Sequence, residues 1–269
     1  MGPMLVSMAR DAVLWPSIAT LTILAAAFLA RVPMKTASAI AIGCGFLVGY
    51  TSIYGKYAFP PIEAQGWLPF LIILNFLVFS IDDRLAFRWQ VRLVLQAFFS
   101  CLGTILIFLP LVKTGVSYAT LFISIALWLG LWIAIDRREG PALFLAAAGN
   151  AVVSATTGST MLGQFGGILA TVLGVHLLFN IPKNRIPLGH AGTAVSVSIL
   201  ASLMLIGHVY AETALFPSLL LLIAFGGPYA AKKLIHREGW QFVIGFALAL
   251  IPVAIASAIA VKSYLSQEY

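Results

Sequence analysis

A chain of 269 residues that is 61% hydrophobic and only 9% charged, with a mean hydropathy of +1.01, has too little charge to cover a water-exposed surface. Its net charge of +7 is carried mostly by residues at the ends of apolar segments, so it reads as a topology signal and no nucleic-acid partner is expected. A soluble enzyme or binding module is thereby excluded.

A helix needs about 20 mostly apolar residues to cross the hydrocarbon of a bilayer. Ten segments qualify, roughly 13–30, 37–55, 67–81, 93–112, 118–135, 141–158, 163–181, 191–209, 213–231 and 240–262. The expected fold is all-α: a polytopic membrane helical bundle of about ten transmembrane helices, a single integral membrane domain over 1–269. The first segment has no small-residue cleavage site and leads directly into Arg31, so it reads as a span and not as a removed signal peptide.

In chain order, the second span carries Gly45 and Gly49, at the spacing that lets two helices approach closely. The third ends in "SIDDRLAFRWQVRLVLQ", residues 80–96, where two adjacent aspartates precede Arg84, Arg88 and Arg92. Those arginines and Gln96 recur every four residues, so a continuous helix would place them on one stripe. The fifth span ends in "IDRREGP", residues 135–141. The sixth puts Asn150, Ser154 and Thr157 on one face, where interhelical hydrogen bonding is favoured over a polar path. The seventh begins with Gly163 and Gly167 at contact spacing and carries His176, read as an interhelical hydrogen-bonding residue, with Asn180 one turn on. "LFNIPKNRIPLGHAGT", residues 178–193, follows, and the ninth span ends in "KKLIHREG", residues 232–239. Cys44 and Cys101 fall inside apolar segments and read as packing residues, not as a disulfide or a metal pair.

Sorted by connection, twelve of the sixteen Lys and Arg residues fall on one side: Arg31, Lys35, Arg84, Arg88, Arg92, Arg137, Arg138, Lys183, Arg185, Lys232, Lys233 and Arg237. Arg10, Lys56, Lys113 and Lys262 fall on the other. The positive-inside rule assigns the first side to the cytoplasm and leaves both termini outside. Every carboxylate lies at a span end or in a loop, which weakens the case for a proton-coupled transporter. Adjacent hard oxygen donors at a membrane surface suit a Mg²⁺ that bridges to a phosphate, and the arginines suit an anion; a charged helix end with snorkelling cations is the plainer alternative.

Three of these stretches resemble motifs of the polyprenyl-phosphate N-acetylhexosamine-1-phosphate transferases, the family of phospho-N-acetylmuramoyl-pentapeptide transferase. "IDDRLAFRWQVRLVLQ" is similar to the family's aspartate-pair motif with its downstream arginine and glutamine. "LLFNIPKNRIPLGHAGT" resembles its Asn-Pro-rich turn ending in G-D-x-G-S, and "IAIDRREG" the tail of its N-x-x-N-x-x-D-G-x-D-G motif. The likeness covers about Leu14 to Leu265. It implies transfer of a sugar-1-phosphate from a UDP-sugar to undecaprenyl phosphate, with Mg²⁺, at the cytoplasmic face of the bacterial inner membrane, in cell-wall or envelope-polysaccharide synthesis. By motif match, Asp82, Asp83 and Asp136 would be catalytic, with Glu139 at the second acidic position. Asp82, Asp83 and His190 would hold the metal, and Arg84, Arg88, Arg92, Lys183, Arg185 and His236 would bind phosphate or substrate. The expected partners are the polyprenyl lipid, a UDP-sugar, the bilayer and a second copy in a homodimer.

The sequence departs from that pattern. Gly130 and Ile133 stand where the family has asparagines, His190 replaces a metal-ligand aspartate, and the histidine-rich arm is reduced to His236. Two readings follow: a divergent transferase, or a catalytically dead homologue that binds polyprenyl lipid as a partner in envelope assembly. A small-molecule or lipid transporter ranks third.

Overall fold

The computed structural model describes residues 7–55, 59–114, 117–135, 140–179, 186–235 and 238–267. Among them there is no strand, and ten helical rods follow one another. They are α1 (Ser7–Leu29, opening with a π turn), α2 (Met34–Tyr54), α3 (Leu68–Leu85, preceded by the 3-10 turn Ala64–Trp67), α4 (Trp89–Phe108), α5 (Tyr118–Ala134), α6 (Gly140–Thr156), α7 (Thr160–Leu178) and α8 (Gly189–Tyr210). The ninth rod is broken into α9 (Leu215–Ile223) and α10 (Gly226–Leu234), and α11 (Glu238–Gln267) is the tenth. They match the ten apolar segments one for one. Eight of the rods are long and apolar enough to cross a membrane, and α5 and α6 contain shorter apolar helices. Large apolar side chains such as Phe28, Phe98, Phe122, Ile133 and Ile223 stand exposed on the outside of the bundle. Lipid, not water, is the solvent that tolerates such a surface. The protein is an all-α polytopic membrane bundle.

Local chemistry explains several helix ends. Pro69 sits in the first turn of α3, where a missing N–H costs nothing, and Pro16 follows directly on the π turn Arg10–Leu14 inside α1. Gly55 closes α2 in the left-handed conformation (φ 64°), and the Ser159 hydroxyl accepts from the amide of Leu162 at the start of α7.

Contacts between distant connections place the two faces. Tyr50 Oη donates to the Gln65 carbonyl, Tyr210 Oη donates to that of Ile107, and Thr157 Oγ1 lies 3.2 Å from Thr213 Oγ1 at one end. At the other end Ser38 Oγ donates to the Pro187 carbonyl, and α3 meets the start of α8. Ten rods that alternate in this way put Ser7 and Gln267 on one face, opposite the face that carries Arg31, Lys35, Arg84, Arg88, Arg92, Lys232 and Lys233.

Helix α8 is the centre: 83% of its apolar stretch is buried, against 22–56% for the other seven long spans. It packs against α2 and α3 most extensively and also meets α4, α5, α6 and α7. Its run of Gly192, Ala194, Ser196, Ser198, Ala201 and Ser202 allows this, because close backbone approach, not water exclusion, holds helices together in lipid. The same logic seats Gly45 against Thr20 of α1, and Gly49 against Pro16 and Ile168. On α7 the contact glycines are Gly163 and Gly166, where an added Cβ would come within 2.8 Å of Ala155 and Ala151. Gly167, paired with Gly163 by spacing, has nothing within 4 Å. The seam therefore follows the three-residue step, a correction to the four-residue reading.

His176 makes the interhelical bond expected of it, with Nε2 3.1 Å from Ser38 Oγ. Of the polar face that α6 begins, Thr157, just past its end, lies 3.2 Å from Thr213 Oγ1 in the connection before α9. Asn150 Nδ2 and Ser154 Oγ are buried without a hydrogen-bond partner among the described residues.

Candidate functional site

The turn after Asp82-Asp83 determines where the site residues point. Helix α3 stops at Leu85 and Ala86 takes the left-handed conformation (φ 49°), its amide still bonded to the Asp82 carbonyl. A new helix begins at Trp89. The chain is therefore not one helix from Ser80 to Gln96, and Arg84 does not share a helical stripe with Arg88 and Arg92. This corrects the sequence expectation.

The two aspartates turn to different partners. Asp82 is fully buried. Its Oδ2 accepts Arg92 Nε at 2.7 Å, and its Oδ1 accepts Arg92 Nη2 at 3.1 Å and the Phe87 amide at 2.9 Å. That is a two-pronged guanidinium–carboxylate pair, the strongest geometry such a pair has. Arg92 Nη2 also donates to the Phe87 carbonyl at 3.3 Å. The pair pins α4 to the end of α3 across the tight turn.

Asp83 reaches a different helix. Its Oδ1 accepts the His190 amide at 2.8 Å and its Oδ2 the Ala191 amide at 2.9 Å. These are first-turn amides of α8, which have no partner inside their own helix. A carboxylate from α3 thus caps α8 and meets the positive end of its dipole. Gly189 makes the approach possible: it sits at φ 67°, and a Cβ there would lie 2.8 Å from Asp83 Oδ2.

His190 joins the two carboxylates. Its amide is held by Asp83 and its Nδ1 lies 3.7 Å from Asp82 Oδ2. Of the four residues expected to converge, Asp82, Asp83 and His190 meet beside the end of α3, with only Asp83 lining the cleft on the basic face, and Asp136 cannot be placed. Asp136, Glu139, Lys183, Arg185 and His236 lie outside the described residues.

Beside this cluster a cleft of about 550 Å³ opens on the basic face, lined by Val32, Pro33, Met34, Lys35, Thr36, Asp83, Arg84 and Pro187. Lys35 and Arg84 are exposed, come from different connections, and are ion-paired with no described residue. Arg88 is exposed outside the cleft lining, and Arg92 is turned inward to Asp82. Two cations without an ion-pair partner among the described residues, over a wall of proline, valine and methionine, suit an anion that carries an apolar tail.

A Mg²⁺ centre fits these residues poorly. All four carboxylate oxygens already accept a hydrogen bond, a guanidinium occupies the place beside Asp82, and the third candidate ligand is an imidazole. Mg²⁺ favours oxygen ligands in near-octahedral geometry. Among the described residues no three His, Cys, Asp or Glu side chains form a metal-binding group.

Lys35 and Gly189 were missed as site residues by sequence reasoning. Lys35 read only as a topology cation, and Gly189 only as part of a turn. The signal available was Gly189 directly before the helix-opening "HAGT". Comparison with protein families finds no matching family model, and comparison with curated proteins finds no match.

Proposed function

We propose that this protein is a non-catalytic relative of the polyprenyl-phosphate sugar-phosphate transferases. It binds polyprenyl phosphate at the cytoplasmic face of a bacterial inner membrane as a partner in envelope assembly. One observation carries the reading: Asp82 and Asp83 are consumed in holding helices, while Lys35 and Arg84 are ion-paired with no described residue over an apolar-walled cleft. A phosphate monoester on a long isoprenoid matches both halves of that wall. Its anion meets the two cations, and its chain runs along Val32 and Met34 toward the bilayer.

The test is binding of undecaprenyl phosphate to the purified protein, with undecaprenol as the uncharged control. Phosphate-dependent binding is expected, and Lys35→Ala or Arg84→Ala should each weaken it about tenfold or more, since a hydrogen bond to a charged group contributes ~1.5–3 kcal/mol. Equal binding of phosphate and alcohol would sink the reading. The divergent-transferase alternative is favoured by the meeting of Asp82, Asp83 and His190 beside the cleft. It requires UMP release from a UDP-sugar, abolished in Asp83→Asn; the binding reading expects none from wild type.

A further inference from the structure

The cleft on the basic face is fastened from inside the bundle. His176, near the basic end of α7, is 2% exposed, and its Nε2 lies 3.1 Å from Ser38 Oγ, itself fully buried in the second turn of α2. The Ser38 hydroxyl lies 2.8 Å from the Met34 carbonyl and donates to that of Pro187 at 3.2 Å. The backbone of Ile186 bonds the same imidazole. Met34 and Pro187 both line the cleft. The ring therefore does more than satisfy itself against one neighbouring helix: it joins α7, the start of α2 and the Ile186–Pro187 turn that leads into α8.

These joints lead to the two cations. Lys35 stands just before Ser38 on α2, and its Cβ packs on the start of α8, 3.1 Å from where a Cβ on Gly189 would lie. Arg84 follows Asp83, which caps the same helix start through the amides of His190 and Ala191. From Lys35 to Arg84 the contacts thus run through the beginning of α8. Asp83 secures one end of that path, and His176, through Ser38 and the Ile186–Pro187 turn, secures the other. Lys35 and Arg84 are both exposed, so the backbone beneath each sets its position. A charged group binds at full strength only when the residues supporting it hold it in place.

We infer that His176 is a positioning residue for anion binding in the cleft: from within the bundle it fixes where Lys35 stands relative to Arg84. The inference rests on the reading of the cleft as a phosphate-binding site. His176 itself does not touch the anion, since it is buried and absent from the cleft lining.

Two readouts on the full chain in detergent micelles test it. The first is the separation of spin labels at Lys35→Cys and Arg84→Cys, in a Cys44→Ala, Cys101→Ala background without added lipid. A single narrow distance is expected with His176 in place. His176→Ala should broaden it, and His176→Gln, whose amide still reaches for Ser38, should narrow it again. The second readout is affinity for undecaprenyl phosphate, with undecaprenol as the control, in the chain that keeps both cations. His176→Ala should weaken the phosphate-dependent part about tenfold, the size of one hydrogen bond to a charged group. His176→Gln should restore most of that loss. Ser38→Ala removes the same joint with the ring intact; it should act as His176→Ala does and carries both readouts if that variant does not fold. Label distances unchanged in His176→Ala and Ser38→Ala, or a loss of binding that His176→Gln does not restore, would overturn the inference. Equal binding of phosphate and alcohol by the wild-type chain would overturn the reading of the cleft, and the role of His176 in anion binding with it, while the label distances still report the joint.

Discussion

Two neighbouring aspartates would ordinarily destabilise each other, yet here each has a different structural task. Asp82 is sealed from solvent and shares its charge with Arg92, whose side chain is 19% exposed. Removing one member of a buried pair leaves the other charge unsatisfied, which costs ~3–5 kcal/mol, so Asp82→Asn should cost about 3 kcal/mol with Arg92 partly solvated. Asp83→Asn keeps one acceptor oxygen but loses the charge and one of two amide bonds, a loss of about 1–2 kcal/mol. Unfolding in detergent micelles should therefore rank Asp82→Asn as clearly the more damaging; the reverse order would refute the division of labour. Gly189→Ala should cost about 1–2 kcal/mol through its left-handed backbone and should also dislodge Asp83. In a double-mutant cycle with Asp83→Asn the two losses should fall well short of additive, because both break one clasp. Full additivity would show that the clasp does not couple them.

At the scale of elements, the seam between α6 and α7 tests how far spacing predicts contact. Gly166 faces Ala151 at backbone distance and Gly167 faces open space, although the sequence spacing pointed to Gly167. Gly166→Leu should force the helices apart and cost about 1–3 kcal/mol or more, while Gly167→Leu should be nearly neutral. A thermal-shift comparison of the two variants decides it: equal losses would mean the seam is placed wrongly. Spacing marked the correct side of α7 but not the register, because both the three-residue and four-residue steps lie on one face and only the crossing with α6 selects between them. The arginine stripe failed for a related reason. A four-residue repeat implies a stripe only while the helix continues, and the left-handed Ala86 ends it after Leu85.

For the whole molecule, the ten-rod path predicts that both termini lie on the same side and that Arg31, Arg88 and Lys233 lie on the other. Single cysteines at Arg88 and at Glu212 should react with an impermeant thiol reagent from opposite sides of sealed vesicles, and a reporter fused after Tyr269 should share the side of Glu212. Labelling of both cysteines from one side would break the topology. The central place of α8 matters here as well. Asp83 of α3 caps its start, and α5 and α9 bound a second cavity along its later half.

The number of helical rods, the all-α class and the basic face were readable from residue order alone. Each depends on a one-dimensional quantity: the bilayer's thickness sets the length of an apolar run, and charge bias between runs sets the side. His176 was readable too, since a polar ring in an apolar segment must find a partner within the bundle. Which partners Asp82 and Asp83 take was decided only by tertiary structure. The amides that Asp83 caps belong to residues 107 and 108 positions further along the chain, and the guanidinium that Asp82 holds reaches it only because the chain reverses at Ala86. A motif records residue types in order, whereas the direction of a carboxylate depends on where its helix ends and which helix packs beside it. Here those two facts turn an apparent metal pair into the joints of a bundle.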